Sequence, residues 1–269
     1  MQNIICSKHT RYGFTLLELS IVLVIIGLIV GGLTVGQELI RQSELNTVVR
    51  QHEEITTAVN TYQLKYGTLP GDHNKAVQYW GRADGGTDLT QNCAAPETNT
   101  VAGSKATCNG DGDKRIDDDT HEAFRFWQHM SNADIFQGSF SGVKFGANPE
   151  SSRVGVNIPG GKIEGSGWYA NWEGNNSGSG SEFVGQYGHQ MVLGNAGDVT
   201  DDPDDPVATP AEVGQVDEKI DDGRPATGKL LVRYWANCTS ATANNQLTAT
   251  YDYAEPGKLC SFIFINQFN

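Results

Sequence analysis

The sequence predicts an α+β fold: a long N-terminal α-helix packed on a small antiparallel sheet in a loop-rich globular head. Three observations carry that expectation. Residues 14–37 hold a single ionisable side chain, Glu18. Beyond them, Leu45, Val48, Val49, Ile55, Val59, Tyr62 and Tyr66 recur at helical spacing among charged residues. The rest of the chain is glycine-rich and acidic, with helix-start signals and short β-branched or aromatic runs. Residues 1–66 carry five basic and five acidic side chains, so residues 67–269 carry the whole net charge of −13. That acidic surface argues against binding nucleic acid, whose phosphates call for a basic one.

The first segment is long enough to cross a membrane. As an α-helix, residues 14–37 extend roughly 36 Å, against a hydrocarbon core of about 30 Å. Lys8 and Arg11 precede the segment, so the positive-inside rule keeps the N-terminus cytoplasmic and exports the remainder. The helix is expected to run on to Tyr66 as an amphipathic spine for the sheet, and Gly67 and Pro70 end it. Gly27, Gly31, Gly32 and Gly36 form two small-xxx-small pairs that allow close helix contact.

In the head, residues 67–81 read as a turn out of the helix and residues 84–110 as a polar loop. Asp119 followed by Glu122 matches a capping box. It opens a helix bearing Phe124, Trp127, Met130 and Ile135 and ending at Gly138. Thr209-Pro-Ala-Glu212 is a second start, with proline at the first helical position. Val213, Val216 and Ile220 supply its buried stripe, and Gly223 and Pro225 stop it. Residues 229–235 and 259–265 read as strands. Residues 160–188, rich in Gly, Ser and Asn, read as a long loop carrying Trp168, Tyr169, Trp172, Phe183 and Tyr187. Those aromatics either anchor the loop to its own domain or stack on a sugar or a partner.

The segment Gly13-Phe-Thr-Leu-Leu-Glu-Leu19, behind Lys8 and Arg11 and at the head of the apolar run, resembles the processing site of type IV prepilins and type II secretion pseudopilins. The resemblance implies a type IV pilin-like fold, cleavage by a prepilin peptidase between Gly13 and Phe14, and N-methylation of Phe14. It implies a leader at 1–13, an N-terminal helix at 14–66 with its membrane and assembly segment at 14–37, and an exported head at 67–269. Glu18 would be the assembly residue. A carboxylate in an apolar bundle is expensive unless it meets an opposite charge, and cleavage creates one in the Phe14 amine. More softly, the string from Leu69-Pro-Gly-Asp72 through Trp80, Asn109-Gly-Asp-Gly-Asp113 and Trp127-Gln-His129 to Val216-Asp-Glu-Lys-Ile-Asp-Asp-Gly223 resembles a group of bacterial prepilin-like proteins defined mainly by that signal. That group implies no activity.

Removal of the leader takes Cys6 with it and leaves Cys93, Cys108, Cys238 and Cys260. Four cysteines in an exported domain suggest two disulfides with three possible connectivities. The local pairing, Cys93–Cys108 with Cys238–Cys260, is favoured over a zinc site, because no CxxC or neighbouring histidine pair is present.

Asn109, Asp111 and Asp113 place oxygens at alternate positions, as positions 1, 3 and 5 of a calcium loop do. Arg115 would offer its carbonyl at position 7, and Ile116 follows as the usual apolar residue. Lys114 stands where such loops have glycine, and Thr120 where they have glutamate, so Asp117, Asp119 or Glu122 would have to close the shell. The alternative is a solvated acidic turn leading into a capped helix. Asp198, Asp201, Asp202, Asp204 and Asp205, broken by Pro203 and Pro206, read as a solvated loop. No enzyme is expected. There is no GxSxG, no HExxH and no phosphate-binding glycine loop, and His73, His121, His129 and His189 are isolated from any Cys nucleophile.

The expected function is therefore structural: a subunit of a type IV pilus-like or type II secretion pseudopilus filament, with Ca2+ as its cofactor. Its expected partners are prepilin peptidase, other pilin or pseudopilin subunits and the bacterial inner membrane. The head would be periplasmic or extracellular, and no direct nucleic-acid binding is expected. The alternative is an exported calcium-dependent binding module or adhesin displayed as a minor pilin at a filament tip.

Overall fold

The computed structural model describes residues 13–101, 104–117, 122–146, 151–177, 182–195, 202–234 and 237–268. In chain order its elements are α1 (Leu16–Tyr66), α2 (Ala76–Trp80), α3 (Glu122–Asn132), β1 (Ser166–Asn176), β2 (Gly185–Asn195), α4 (Pro210–Ile220), β3 (Leu230–Leu231) and β4 (Phe262–Ile265). The chain forms two compact units, Met1–Glu44 and Leu45–Asn269. The boundary falls inside α1, so the second part of that helix is built into the head's own core.

Within the first unit, the large apolar side chains from Phe14 to Ile40 are exposed. Within the second, Leu45, Val48, Ile55, Val59 and Tyr62 are buried, and Val49 and Tyr66 pack against them. This is the apolar face read from the sequence. Gly67 closes α1 at a φ of +75° and donates its N–H to the Gln63 carbonyl at 2.7 Å, a left-handed helix end that suits glycine.

The sheet order is β1-β2-β4-β3, and all three pairings are antiparallel. Most of it comes from residues 160–188 and those just after, which the sequence reading took for a loop. That expectation is corrected: β1 and β2 form a long hairpin with Trp168 opposite Leu193 and Tyr169 opposite Val192. Both faces are covered. Trp168 and Phe264 share one face, where His52 of α1 stacks on Phe264 at 4.1 Å between ring centroids. On the other face Tyr169 meets Phe124 of α3 at 5.9 Å. A doubly covered strand buries successive residues and loses the alternation that marks a half-exposed one. Conversely, the expected strands at 229–235 and 259–265 shrink to Leu230–Leu231 and Phe262–Ile265, and Trp235 lies outside the described residues.

Helix α3 ends at Asn132 rather than Gly138. Residues 67–81 hold the short α2 as well as a turn. Helix α4 starts as expected. Thr209 Oγ1 accepts from the Glu212 N–H at 3.2 Å, and the Glu212 carboxylate accepts from the Thr209 N–H at 2.8 Å. Losing such a cap costs about 1 kcal/mol, and a head of this size loses roughly 2–4 °C per kcal/mol. Thr209→Ala should lower the melting temperature by that small amount in a thermal denaturation scan. An unchanged value would mean that Pro210 alone fixes the helix start.

Cys93 is bonded to Cys108 and Cys238 to Cys260, each pair with its Cα atoms 5.2 Å apart. The first closes the loop between α2 and α3. The second ties residue 238 to the segment just before β4.

Candidate functional site

Among the described residues, the expected sites fall in two places: the start of α1, and an acidic loop in the head.

Phe14 is 82% exposed and stands two residues before the first helical residue, Leu16. Thr15 and Glu18 then cap the helix reciprocally. The Glu18 carboxylate accepts from the Thr15 N–H at 2.8 Å, and Thr15 Oγ1 accepts from the Glu18 N–H at 3.2 Å. Two otherwise unpaired helix-end donors are satisfied this way. The sequence reading missed this role, although Thr15-x-x-Glu18 is the S/T-x-x-E signature. Lys8 and Arg11 lie outside the described residues.

The acidic loop is assembled from three places in the chain. Asp72 follows the turn after α1, Asp111, Asp113 and Asp117 come from the loop before α3, and Glu122 begins α3. Asp72, Asp111 and Glu122 each offer an oxygen within 4.8 Å of the others, and so do Asp111, Asp113 and Asp117. Close backbone approach makes this possible. A Cβ on Gly71 would lie 2.5 Å from the Glu122 carbonyl oxygen, and one on Gly110 would lie 2.4 Å from the Gly71 carbonyl oxygen.

The two buried carboxylates hold the loop by its backbone. Asp72 accepts from the Gly112 N–H at 2.5 Å and the Lys114 N–H at 2.9 Å. Glu122 accepts from the Asp111 N–H at 2.9 Å and the Asp117 N–H at 3.0 Å. Both oxygens of Glu122 are thus turned onto the acidic loop, and the Asp119 half of the expected capping box lies outside the described residues, as does Thr120. Asp111 accepts from the Asp113 N–H at 3.0 Å and Asp113 from the Arg115 N–H at 2.8 Å, so these carboxylates fold back over their own turn.

One of the expected ligands, Asn109, has other work, while the Arg115 carbonyl is not touched by the contacts of its side chain. The Asn109 carboxamide oxygen accepts from the Val77 N–H at 2.9 Å, capping the start of α2, and its NH2 donates to the Gln91 carbonyl at 3.3 Å. The Arg115 guanidinium lies 3.8 Å from Asp113 Oδ2 and 5.5 Å from the centre of the Trp172 ring. Asp72, by contrast, was not foreseen as part of this group. It lies about 40 residues away in sequence, and no spacing rule links it to the loop.

Burial dominates the electrostatics. It pushes the Glu122 carboxyl up to about 8, reinforced by the charges of Asp72 and Asp111 against the pull of the Asp117 and Asp111 N–H groups. It likewise raises Asp72 to about 6, opposed by the N–H groups of Gly112 and Lys114. Buried acids this close call for a proton or a cation between them. An all-oxygen set of this kind suits a hard divalent cation and not zinc. The acidic clusters can therefore hold a metal ion.

Other expected sites resolve into structure. Trp168 is 1% exposed and offers no open stacking face, while Trp172 is half-buried against the His189 ring at 4.7 Å. Asp204 is buried and paired with Arg233, which also meets Glu182 at 3.1 Å. It is not part of a solvated loop; Asp198 and Asp201 lie outside the described residues. His73, His129 and His189 are buried in packing contacts, where desolvation holds them below the ordinary histidine value. His121 lies outside the described residues.

Residues 8–34 match the family model for the prokaryotic N-terminal methylation motif. No curated protein and no solved structure matches the chain. The matched stretch takes in Gly13, Phe14 and Glu18 and runs into the apolar part of α1, consistent with anchoring in the inner membrane before assembly. The chain thus carries a prokaryotic N-terminal methylation motif, the prepilin-type signal, and that motif implies processing by prepilin peptidase.

Proposed function

We propose that this chain is a structural subunit of a type IV pilus-like or type II secretion pseudopilus filament. The observation that carries the reading is the methylation motif at residues 8–34, set at the head of a helix whose apolar side chains are exposed from Phe14 to Ile40. Such a surface has to be covered, first by lipid and then by the same segment of neighbouring subunits. In this reading the leader is residues 1–13, prepilin peptidase cuts between Gly13 and Phe14, and the new amine on Phe14 is methylated. The segment 14–37 anchors the chain before assembly and packs within the filament afterwards, and the head (residues 67–269) is exported. The pilin-like family is generally non-enzymatic, and the role is one of assembly.

Calcium is the cation proposed for the acidic loop, held chiefly by Asp72, Asp111, Asp113, Asp117 and Glu122. The support is the oxygen-only donor set and the two buried carboxylates, neither of which joins an ion pair among the described residues.

Mass spectrometry of the protein purified from its own host tests the processing step. The expected N-terminus is N-methyl-Phe14. An intact Met1, or a cut at any other bond, would remove the basis for the filament reading.

A further inference from the structure

Helix α4 ends on three carboxylates that the acidic loop does not involve. Asp217 lies on the buried face of the helix, Asp221 is its C-cap, and Asp222 follows. One oxygen from each lies within 4.8 Å of the others. A helix C-terminus carries the negative end of the macrodipole, so anions there are unfavourable. Among the described residues none of the three joins an ion pair.

Asp217 is fully buried. Its Oδ2 accepts from the Tyr251 hydroxyl at 2.8 Å, while Oδ1 is buried and has no hydrogen-bond partner. The Gly223 amide approaches this carboxylate without closing a bond of normal geometry. A buried carboxylate oxygen left bare costs more free energy than the hydrogen bond it lacks would have supplied, and proteins seldom retain one without a use. Burial, with the charges of Asp222 and Asp221 added, drives this carboxyl up to about 7.

The other two acids are already held in place. Asp221 Oδ2 accepts from the Leu230 N–H at 3.1 Å and from the Lys229 N–H. The Asp222 carboxylate accepts from the Arg224 N–H at 2.9 Å and from the Thr227 hydroxyl at 2.7 Å. The cluster is therefore preorganised, with a buried bare oxygen on Asp217 beside two acids already fixed in place.

We propose that Asp217, Asp221 and Asp222 form a second divalent-cation site, in which calcium is bound by Asp217 Oδ1 and an oxygen from each of the other two. Calcium takes oxygen ligands at about 2.3–2.6 Å, so ligands across the ion sit up to roughly 5 Å apart, a span that admits the observed grouping. Backbone carbonyls and water complete a shell of this kind. The ion links the end of α4 to the turn leading into β3 and, through Tyr251, to the segment beyond Cys238. This site is separate from the calcium reading of the 109–122 loop and does not depend on it.

Equilibrium dialysis with calcium, on the full chain in detergent micelles after treatment with chelator, tests the proposal. In an Asp111→Asn, Asp113→Asn background, which weakens the other loop, the chain is expected to retain bound calcium. Adding Asp217→Asn, nearly isosteric and still able to accept from Tyr251, should remove one calcium per chain. Asp222→Asn, on the exposed turn, should do the same without touching the core. Terbium in place of calcium should give Tyr-sensitised luminescence that Tyr251→Phe lowers. If the Asp111→Asn, Asp113→Asn chain binds no calcium, or if Asp217→Asn and Asp222→Asn both leave its calcium unchanged, the site does not exist.

Discussion

Glu18→Ala is expected to leave the chain inserted in the membrane yet nearly absent from filaments. Insertion survives because the substitution makes an already apolar segment more so. Incorporation fails because Glu18 would pair with the amine that cleavage creates on a neighbouring subunit's Phe14. Removing one member of a desolvated pair costs about 3–5 kcal/mol, and each 1.4 kcal/mol is a factor of about ten in an equilibrium. Recovery of the variant in sheared filaments should therefore drop by roughly a hundredfold to a few thousandfold. The helix start supplies a sharper control. Because the Glu18 carboxylate also caps α1 through the Thr15 N–H, alanine removes cap and charge together. Glu18→Gln keeps the acceptor that a capping box needs and removes only the charge. Both variants should fail alike in a shearing and immunoblot assay. If Glu18→Gln is incorporated normally, the residue acts as a cap and the inter-subunit pairing is wrong.

How much of this was legible in the sequence depended on how locally each feature is encoded. Helix α1 could be read because one charge in 24 residues, followed by a face from Leu45 to Tyr66, is a pattern within one segment. The start of α4 was legible for the same reason, since Thr209, Pro210 and Glu212 are near neighbours. The β1–β2 hairpin was hidden. Its central residues are buried on both faces, and Gly174 and Gly188, at φ +68° and +57°, interrupt it where the register shifts. Glycines in that role look like loop residues until the partner strand is known. In the acidic loop the residues from Asp111 to Glu122 were visible, but Asp72 was not, because its place beside Gly112 and Lys114 depends on the path of the chain through α2 and the Cys93–Cys108 loop. The buried Asp217 gave a different kind of silence. Its position on the inner face of α4 could be read from the helix period, but the bare oxygen depends on Tyr251, 34 residues away.

The full-length chain in detergent should melt at a higher temperature in millimolar calcium than in chelator. Asp72 and Glu122 are buried acids whose own charges, with those of Asp111 and Asp113, work against one another. The four backbone N–H groups that they accept relieve part of that cost, and so does the start of α3, where negative charge gains about 0.3–1 kcal/mol. A divalent ion relieves the remainder. Bound only by the native state, it adds about 2.7 kcal/mol at a hundredfold excess over its dissociation constant, which for a head of about 200 residues means roughly 5–10 °C. Asp111→Ala with Asp113→Ala should remove most of the rise that belongs to this loop. Asp217→Asn isolates any part contributed by the end of α4, so the two sites are read separately. Asp111 and Asp113 are exposed at the rim of the cluster, and their loss should leave the fold in chelator close to that of the unsubstituted chain. Calorimetry of these three chains in calcium and in chelator decides the matter: if the unsubstituted protein melts at one temperature in both, the loop is an acidic turn held by Asp72 and Glu122 alone, with a proton in place of the ion.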